Sequence, residues 1–142
     1  MSGPYTGRCA CEAVTLTIEA DKAVATRQCW CRQCQQIAAG GSTNNAMFKT
    51  DAVTIEGELG WHDYVAASGN TLHQGFCRKC GSPVVAWSTA RPYLRTIRIG
   101  MLDPGHGLRP TMAIWTDEAP EWAVIDPALE QHGGQPAAPP KP

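Results

Sequence analysis

The cysteines constrain this chain more than any other residue. Seven of them fall in three tight groups: Cys9 and Cys11; Cys29, Cys31 and Cys34; Cys77 and Cys80. As spacing, this is C-x-C, seventeen residues, C-x-C-x2-C, forty-two residues, C-x2-C. Cysteines that merely pack do not cluster in this way. Metal ligands do, because neighbouring thiolates converge on one ion while a distant segment completes its shell. An odd number also excludes full disulfide pairing within the chain. Seven divides into four plus three, a closed tetrahedral site and a site with one position left open.

The bulk properties narrow the setting. At 142 residues the chain is most simply one domain, with room for a core and a size that gains from metal staples. A formal net charge of −1 gives no electrostatic footprint for nucleic acid. No run approaches the eighteen apolar residues of a membrane span. The start, Met1-Ser2-Gly3-Pro4-Tyr5, has neither the basic nor the apolar region of a secretory signal. The expectation is a cytoplasmic protein, where thiols stay reduced and clustered cysteines bind metal or do chemistry.

Strand patterns dominate. In Glu12–Glu19, Val14, Leu16 and Ile18 alternate with Thr15, Thr17 and Glu19, the period of a half-buried strand. Shorter β-rich runs follow at Val24–Arg27, Ala46–Phe48, Val53–Glu56, Leu72–Phe76, Val84–Trp87, Leu94–Ile99 and Met112–Thr116. Gly40-Gly41-Ser42, Gly57, Ser68-Gly69-Asn70 and Asp103-Pro104-Gly105 separate them as turns. A helical turn is expected over Gln35 to Ala39. The Gly-, Pro- and Ala-rich end offers little apolar surface to bury. The reading is a mainly β domain over residues 1–130, with residues 131–142 as a disordered tail.

Spacing assigns chemistry to the groups. On an extended segment residues i and i+2 face one side, so C-x-C can aim both thiolates at one ion. Cys77-Arg78-Lys79-Cys80-Gly81 reads as a tight turn whose N–H groups point at sulfur, with Gly81 taking a positive φ to close it. Arg78 and Lys79 soften the charge of a four-thiolate centre. Cys9, Cys11, Cys77 and Cys80 then form a structural zinc site, and Cys29, Cys31 and Cys34 hold a second zinc open to water or substrate. Two other allocations fit the spacing. The triplet can be a second structural site completed by His73, a carboxylate or a neighbouring chain, and Cys9 and Cys11 can pair with Cys31 and Cys34.

The residues also carry a family signature. Gly7-Arg8-Cys9-x-Cys11-x-x-Val14, Cys29-x-Cys31-x-x-Cys34 and Gly75-Phe76-Cys77-x-x-Cys80-Gly81-Ser82-Pro83 resemble the glutathione-dependent formaldehyde-activating, or centromere-protein-V, family. Ile97-Arg98-Ile99-Gly100-Met101-Leu102-Asp103, and Pro110 leading to Ile114-Trp115 and Trp122, extend the resemblance. It implies an Mss4-like fold of small antiparallel sheets and two zinc ions, one structural and one catalytic in type. It also implies a carbon–sulfur lyase that makes S-hydroxymethylglutathione from formaldehyde and glutathione. Trp30, Gln35-Gln36 and Ala113 stand where the family often carries a histidine, basic residues and a second histidine.

Other residues complete the candidate list. Glutathione carries two carboxylates, so cations near the open site are of interest. Arg32 lies inside the triplet; Arg91, Arg95 and Arg98 are further candidates, with Arg95 and Arg98 facing opposite sides of one strand. Trp30 is a candidate wall of the substrate cavity. His73 and His62 are candidate ligands or proton donors, His106 and His132 face solvent, and Trp87, Trp115 and Trp122 read as core. The rivals to an enzyme are a non-catalytic zinc-stabilised binding module and a thiol redox switch in which Cys29 and Cys34 join on oxidation.

Overall fold

Two β-sheets enclose the main core. The structure, a computed structural model, describes residues 3–66 and 68–142. A three-stranded antiparallel sheet pairs β1 (Tyr5–Arg8) with β2 (Thr15–Ile18) and β2 with β5 (Val53–Glu56). The larger sheet contains β3 (Ala25–Cys29), β4 (Thr43–Lys49), β6 (Leu59–Val65), β7 (Thr71–Cys77), β8 (Pro83–Ser88), β9 (Leu94–Arg98), β10 (Met112–Ile114) and β11 (Glu130–Gln131). Its order is β11-β10-β3-β4-β9-β8-β7-β6. It is antiparallel from β3 to β6, and parallel only where β10 joins β3 and β11.

The alternation expected in β2 puts Leu16 and Ile18 inward, where they meet Val14, Phe48, Val85 and Ile97. Ile18, Val14, Ile97 and Val84 are wholly buried, and each such side chain contributes about 1.5–3 kcal/mol of burial. Cys9 and Cys77 belong to the same cluster, so the group of Cys9, Cys11, Cys77 and Cys80 caps this core. A smaller cluster of Cys29, Cys34 and Ile114 lies elsewhere. The glycine turns read from sequence take the left-handed conformation, including Gly57 at φ 105° and Gly81 at φ 79°.

The two faces of the large sheet differ in chemistry. Register pairs Arg27 with Asn45 and Asn45 with Arg98, Cys29 with Thr43, Ala86 with both Thr96 and Gln74, and Leu72 with Ser88. Paired residues share a face. Arg27, Thr43, Asn45, Gln74, Ser88 and Arg98, the buried polar side chains among the described residues, therefore lie on one face with Cys29. Phe48, Val85 and Ile97 lie on the opposite, core face.

Three expectations are corrected. The helix α1 runs Arg32–Ile37, beginning before Cys34, because Cys31 caps it: Cys34 N–H donates to Cys31 Sγ at 3.4 Å. Trp122 is not core but 67% exposed. Residues 131–135, placed by composition in a structureless tail, are tied to the domain. His132 and Gly133 carbonyls accept from the Thr116 and Asp117 N–H groups at 3.1 and 3.2 Å, and Trp115 Nε1–H donates to Gln135 Oε1 at 2.9 Å. Composition misses this because backbone bonding needs no apolar side chain.

Candidate metal centres

The first centre joins the β1–β2 connection to the turn after β7. Its four Sγ atoms lie within 4.8 Å of one another, with Cys9–Cys11 at 3.7 Å and Cys11–Cys77 at 3.8 Å. Ligands about 2.3 Å from a tetrahedral zinc stand roughly 3.7 Å apart, so the donor set fits that ion. The surrounding backbone is arranged for anions. Val14 N–H donates to Cys9 Sγ at 3.3 Å, and Lys79 and Cys80 N–H groups point at Cys77 Sγ at 3.4 and 3.5 Å. Gly81 N–H closes the turn on the Cys77 carbonyl at 2.8 Å. Cys80, the exposed member, is drawn down to about 5, first by the Ser82 hydroxyl at 3.2 Å.

The second centre brings Cys29, at the end of β3, to Cys31 and Cys34 around the start of α1. Their sulfurs also lie within 4.8 Å of one another. Crowding three thiols without a cation splits them. Hydrogen bonding to Cys31 and then Cys34 pushes the Cys29 thiol up, while the bond with Cys29 leads in drawing Cys34 down to about 3. A divalent cation among the sulfurs removes that conflict, so the triplet also fits a thiolate-bound metal. The two groups keep separate membership: no sulfur of one is shared with the other, and no histidine or carboxylate joins either among the described residues.

A polar chain leads away from the triplet along the sheet. Thr43 pairs with Cys29 across β3 and β4 and adds to the groups that draw Cys34 down; Asn45 Nδ2–H donates to Thr43 Oγ1 at 3.0 Å, and Arg98 Nη1–H donates to Asn45 Oδ1 at 2.6 Å. Arg98 Nη2–H also bonds Gln74 Oε1, and Gln74 Nε2–H reaches the Tyr64 hydroxyl at 3.5 Å. Arg98 is 8% exposed. Burial works against its charge, and Cys34 leads the groups that favour it. Strand parity separated Arg98 from Arg95, which stacks instead over the Trp87 ring at 4.5 Å. What parity could not show is that the Arg98 side is covered.

Two cavities flank this chain. One, of about 350 Å³, is lined by Gln33, Gln36 and Ile37 of α1 and by His62, Tyr64 and Gln74 of the sheet. The other, of about 410 Å³, meets it at Ile37 and Pro83 and is lined by Thr43, Asn44 and Arg98. Tyr64 is held above the usual phenol range, chiefly by burial and further by Cys31 and Cys34. The Arg32 side chain is exposed, and its backbone N–H donates to Glu118 Oε2 at 2.9 Å.

The other sequence candidates have different surroundings. Trp30 is 5% exposed, bonds Gln28 through Nε1 at 3.1 Å and lines neither cavity. Gln35 is a brace, donating to the Trp30 and Glu118 carbonyls at 2.7 and 2.9 Å. Ala113 is fully buried in β10. His73 bonds Asp63 at 2.7 Å and stacks on Trp87. His62 stacks on Tyr64. Sequence reasoning missed Tyr64, Gln74 and Asn45, which carry no local signal and meet only through strand pairing.

A family model described as glutathione-dependent formaldehyde-activating enzyme matches residues 4–118, a span holding all seven cysteines. Among solved structures, a Rhodobacter sphaeroides protein is similar with a TM-score of 0.57 and 21% identity, covering 74% of this chain and 91% of that one. At that identity the likeness speaks for the fold alone. No curated protein matches the chain.

Proposed function

The chain belongs to the glutathione-dependent formaldehyde-activating family, and we propose that it adds glutathione or a similar small thiol to formaldehyde or another small electrophile at Cys29, Cys31 and Cys34. The observation that carries this reading is a three-sulfur group with no fourth protein ligand among the described residues, beside a hydrogen-bonded chain from Thr43 through Asn45, Arg98 and Gln74 to Tyr64 on a cavity wall. Cys9, Cys11, Cys77 and Cys80 hold a structural zinc in the same reading, giving two zinc ions per chain.

Zinc at the triplet would keep an incoming thiol ionised near neutral pH and polarise a carbonyl. The protein's own groups do the rest. Cys31 holds its sulfur in place by capping α1, and Arg98 sets a buried positive charge beside the sulfurs. The sulfur lone pair forms the new C–S bond while the carbonyl π pair moves to oxygen. Tyr64, kept protonated by burial, gives that oxygen its proton and recovers one from solvent. Direction follows supply: the same groups run the reverse cleavage, the carbon–sulfur lyase reaction.

The test is exchange spectroscopy on ¹³C-formaldehyde and glutathione. The protein should speed interconversion above the uncatalysed rate, and Cys31→Ser should lose the acceleration while still melting cooperatively. A Cys31→Ser protein with full acceleration would end the proposal.

A further inference from the structure

Of the two buried charged residues on the cysteine-bearing face, Arg27 and Arg98, Arg27 is left without a role by the chemistry above. It is 7% exposed. Its Nε is buried with no hydrogen-bond partner, and Nη2–H makes one long bond, 3.4 Å, to the Ala137 carbonyl. No carboxylate pairs with it among the described residues; burial and then Arg91 work against its charge, while Cys29 and Glu130 favour it. A guanidinium offers five N–H donors in a planar fork suited to a carboxylate. Most of that capacity is unused.

Arg27 is also well placed. It lies two residues before Cys29 on β3, so the two side chains share a face with their Cα atoms about 6.5 Å apart. A molecule with sulfur at the triplet and a carboxylate several bonds away would span that distance.

The cover over Arg27 is the chain's own C-terminal segment. Up to Gly134 this segment is fastened by backbone bonds, and Gln135 by its side chain. Beyond it the contacts thin to the Ala137 bond, burial of Pro139, and Lys141 Nζ at 5.3 Å from the centre of the Tyr93 ring. Residues 136, 139, 140 and 142 are proline, which has no N–H to donate, so the segment cannot zip onto the sheet as a strand.

We propose that Arg27 anchors a carboxylate of the bound molecule and that residues 136–142 form a displaceable cover, the Ala137 carbonyl holding the place of a carboxylate oxygen. The ligand class is a small carboxylate-bearing compound. That its sulfur lies at the triplet rests on the function proposed above; the anchor itself does not.

S-methylglutathione keeps both carboxylates and has no free thiol, so its binding by calorimetry reads the anchor without turnover. The parent protein should bind it, Arg27→Gln should weaken binding at least tenfold, and removal of residues 136–142 should tighten it at least threefold. The dimethyl ester of the same probe should respond to neither change. Arg27→Lys, which keeps charge but not the fork, should fall between, with melting and metal content confirming that each variant is folded. Equal binding by the parent and Arg27→Gln, no binding at all, weaker binding after removal of the cover, or an ester that shows the same dependence would each overturn the anchor. Arg27-dependent binding without thiol–aldehyde turnover would instead retain the anchor and remove the proposed reaction.

Discussion

Arg98 and Asn45 face each other across β9 and β4, and the guanidinium donates to the amide oxygen at 2.6 Å while both side chains are buried. The cation has neutral partners, Asn45 and Gln74, and no ion pair with a carboxylate among the described residues. Its electrostatic counterpart is the thiol triplet. A buried charge that serves only packing is costly, so the arrangement implies a partner of opposite sign at the sulfurs.

The first prediction concerns that pair. Arg98→Gln should reduce zinc retention at the triplet, and the rate of thiol addition, by about 10–100-fold, the usual range for groups behind a metal ligand. Competition with a chromogenic chelator measures the affinity. Unchanged retention would mean that Arg98 is structural alone.

The two centres should part company when metal is withdrawn. The four-cysteine site joins segments 66 residues apart, Cys11 and Cys77, within the main core, so a metal held there would supply folding free energy. A strong chelator should remove one equivalent of zinc with the melting transition retained, and the second only as the chain unfolds. Cys77→Ser, at a 1% exposed position, should abolish soluble folded protein. Elemental analysis beside circular dichroism checks both. Two equivalents leaving together with no loss of fold would contradict the division of roles.

Gly7 tests the support beneath the first centre. A Cβ there would stand 2.2 Å from the Met101 carbonyl oxygen, and that contact is backbone, in a strand that bridges to Leu102. Gly7→Ala should therefore cost about 2–3 kcal/mol, within the range of strongly destabilising single substitutions. Gly100→Ala, where no atom lies within 4 Å of the added Cβ, should change stability far less. Denaturant unfolding of the two variants side by side reads the difference.

Sequence revealed the cysteine groups and hid their surroundings, for a physical reason. The cysteine groups are local patterns, and so is the alternation of Val14, Leu16 and Ile18, because strand period and ligand spacing are written over a few residues. β1 escaped notice because Tyr5-Thr6-Gly7-Arg8 has a single apolar side chain. β6 escaped because it is an edge strand with Gly60, His62 and Asp63 inside it. The Thr43–Asn45–Arg98–Gln74–Tyr64 chain draws on four strands, β4, β9, β7 and β6, and β8 lies between two of them. Pairing at such separations is decided by the whole core.

Tyr64 offers the sharpest test of mechanism. Burial, then the nearby sulfurs, hold its hydroxyl above the ordinary phenol range, so it remains a proton donor throughout neutral and mildly alkaline solution. A positioned general acid contributes about 10²–10⁴ in rate, but water can enter a cavity of this size and replace part of that. Tyr64→Phe should therefore slow thiol addition by about 10–100-fold, with zinc content and the binding of S-methylglutathione unchanged. The phenol is also bonded by Gln74 Nε2 at 3.5 Å, a long contact whose loss should barely move the melting temperature. Because the raised phenol loses its proton only as pH climbs past its ordinary range, the parent's advantage over Tyr64→Phe should persist flat from pH 6 to pH 9. Equal rates for the two proteins across that window would transfer the proton donation to solvent and leave Tyr64 as a wall of the cavity.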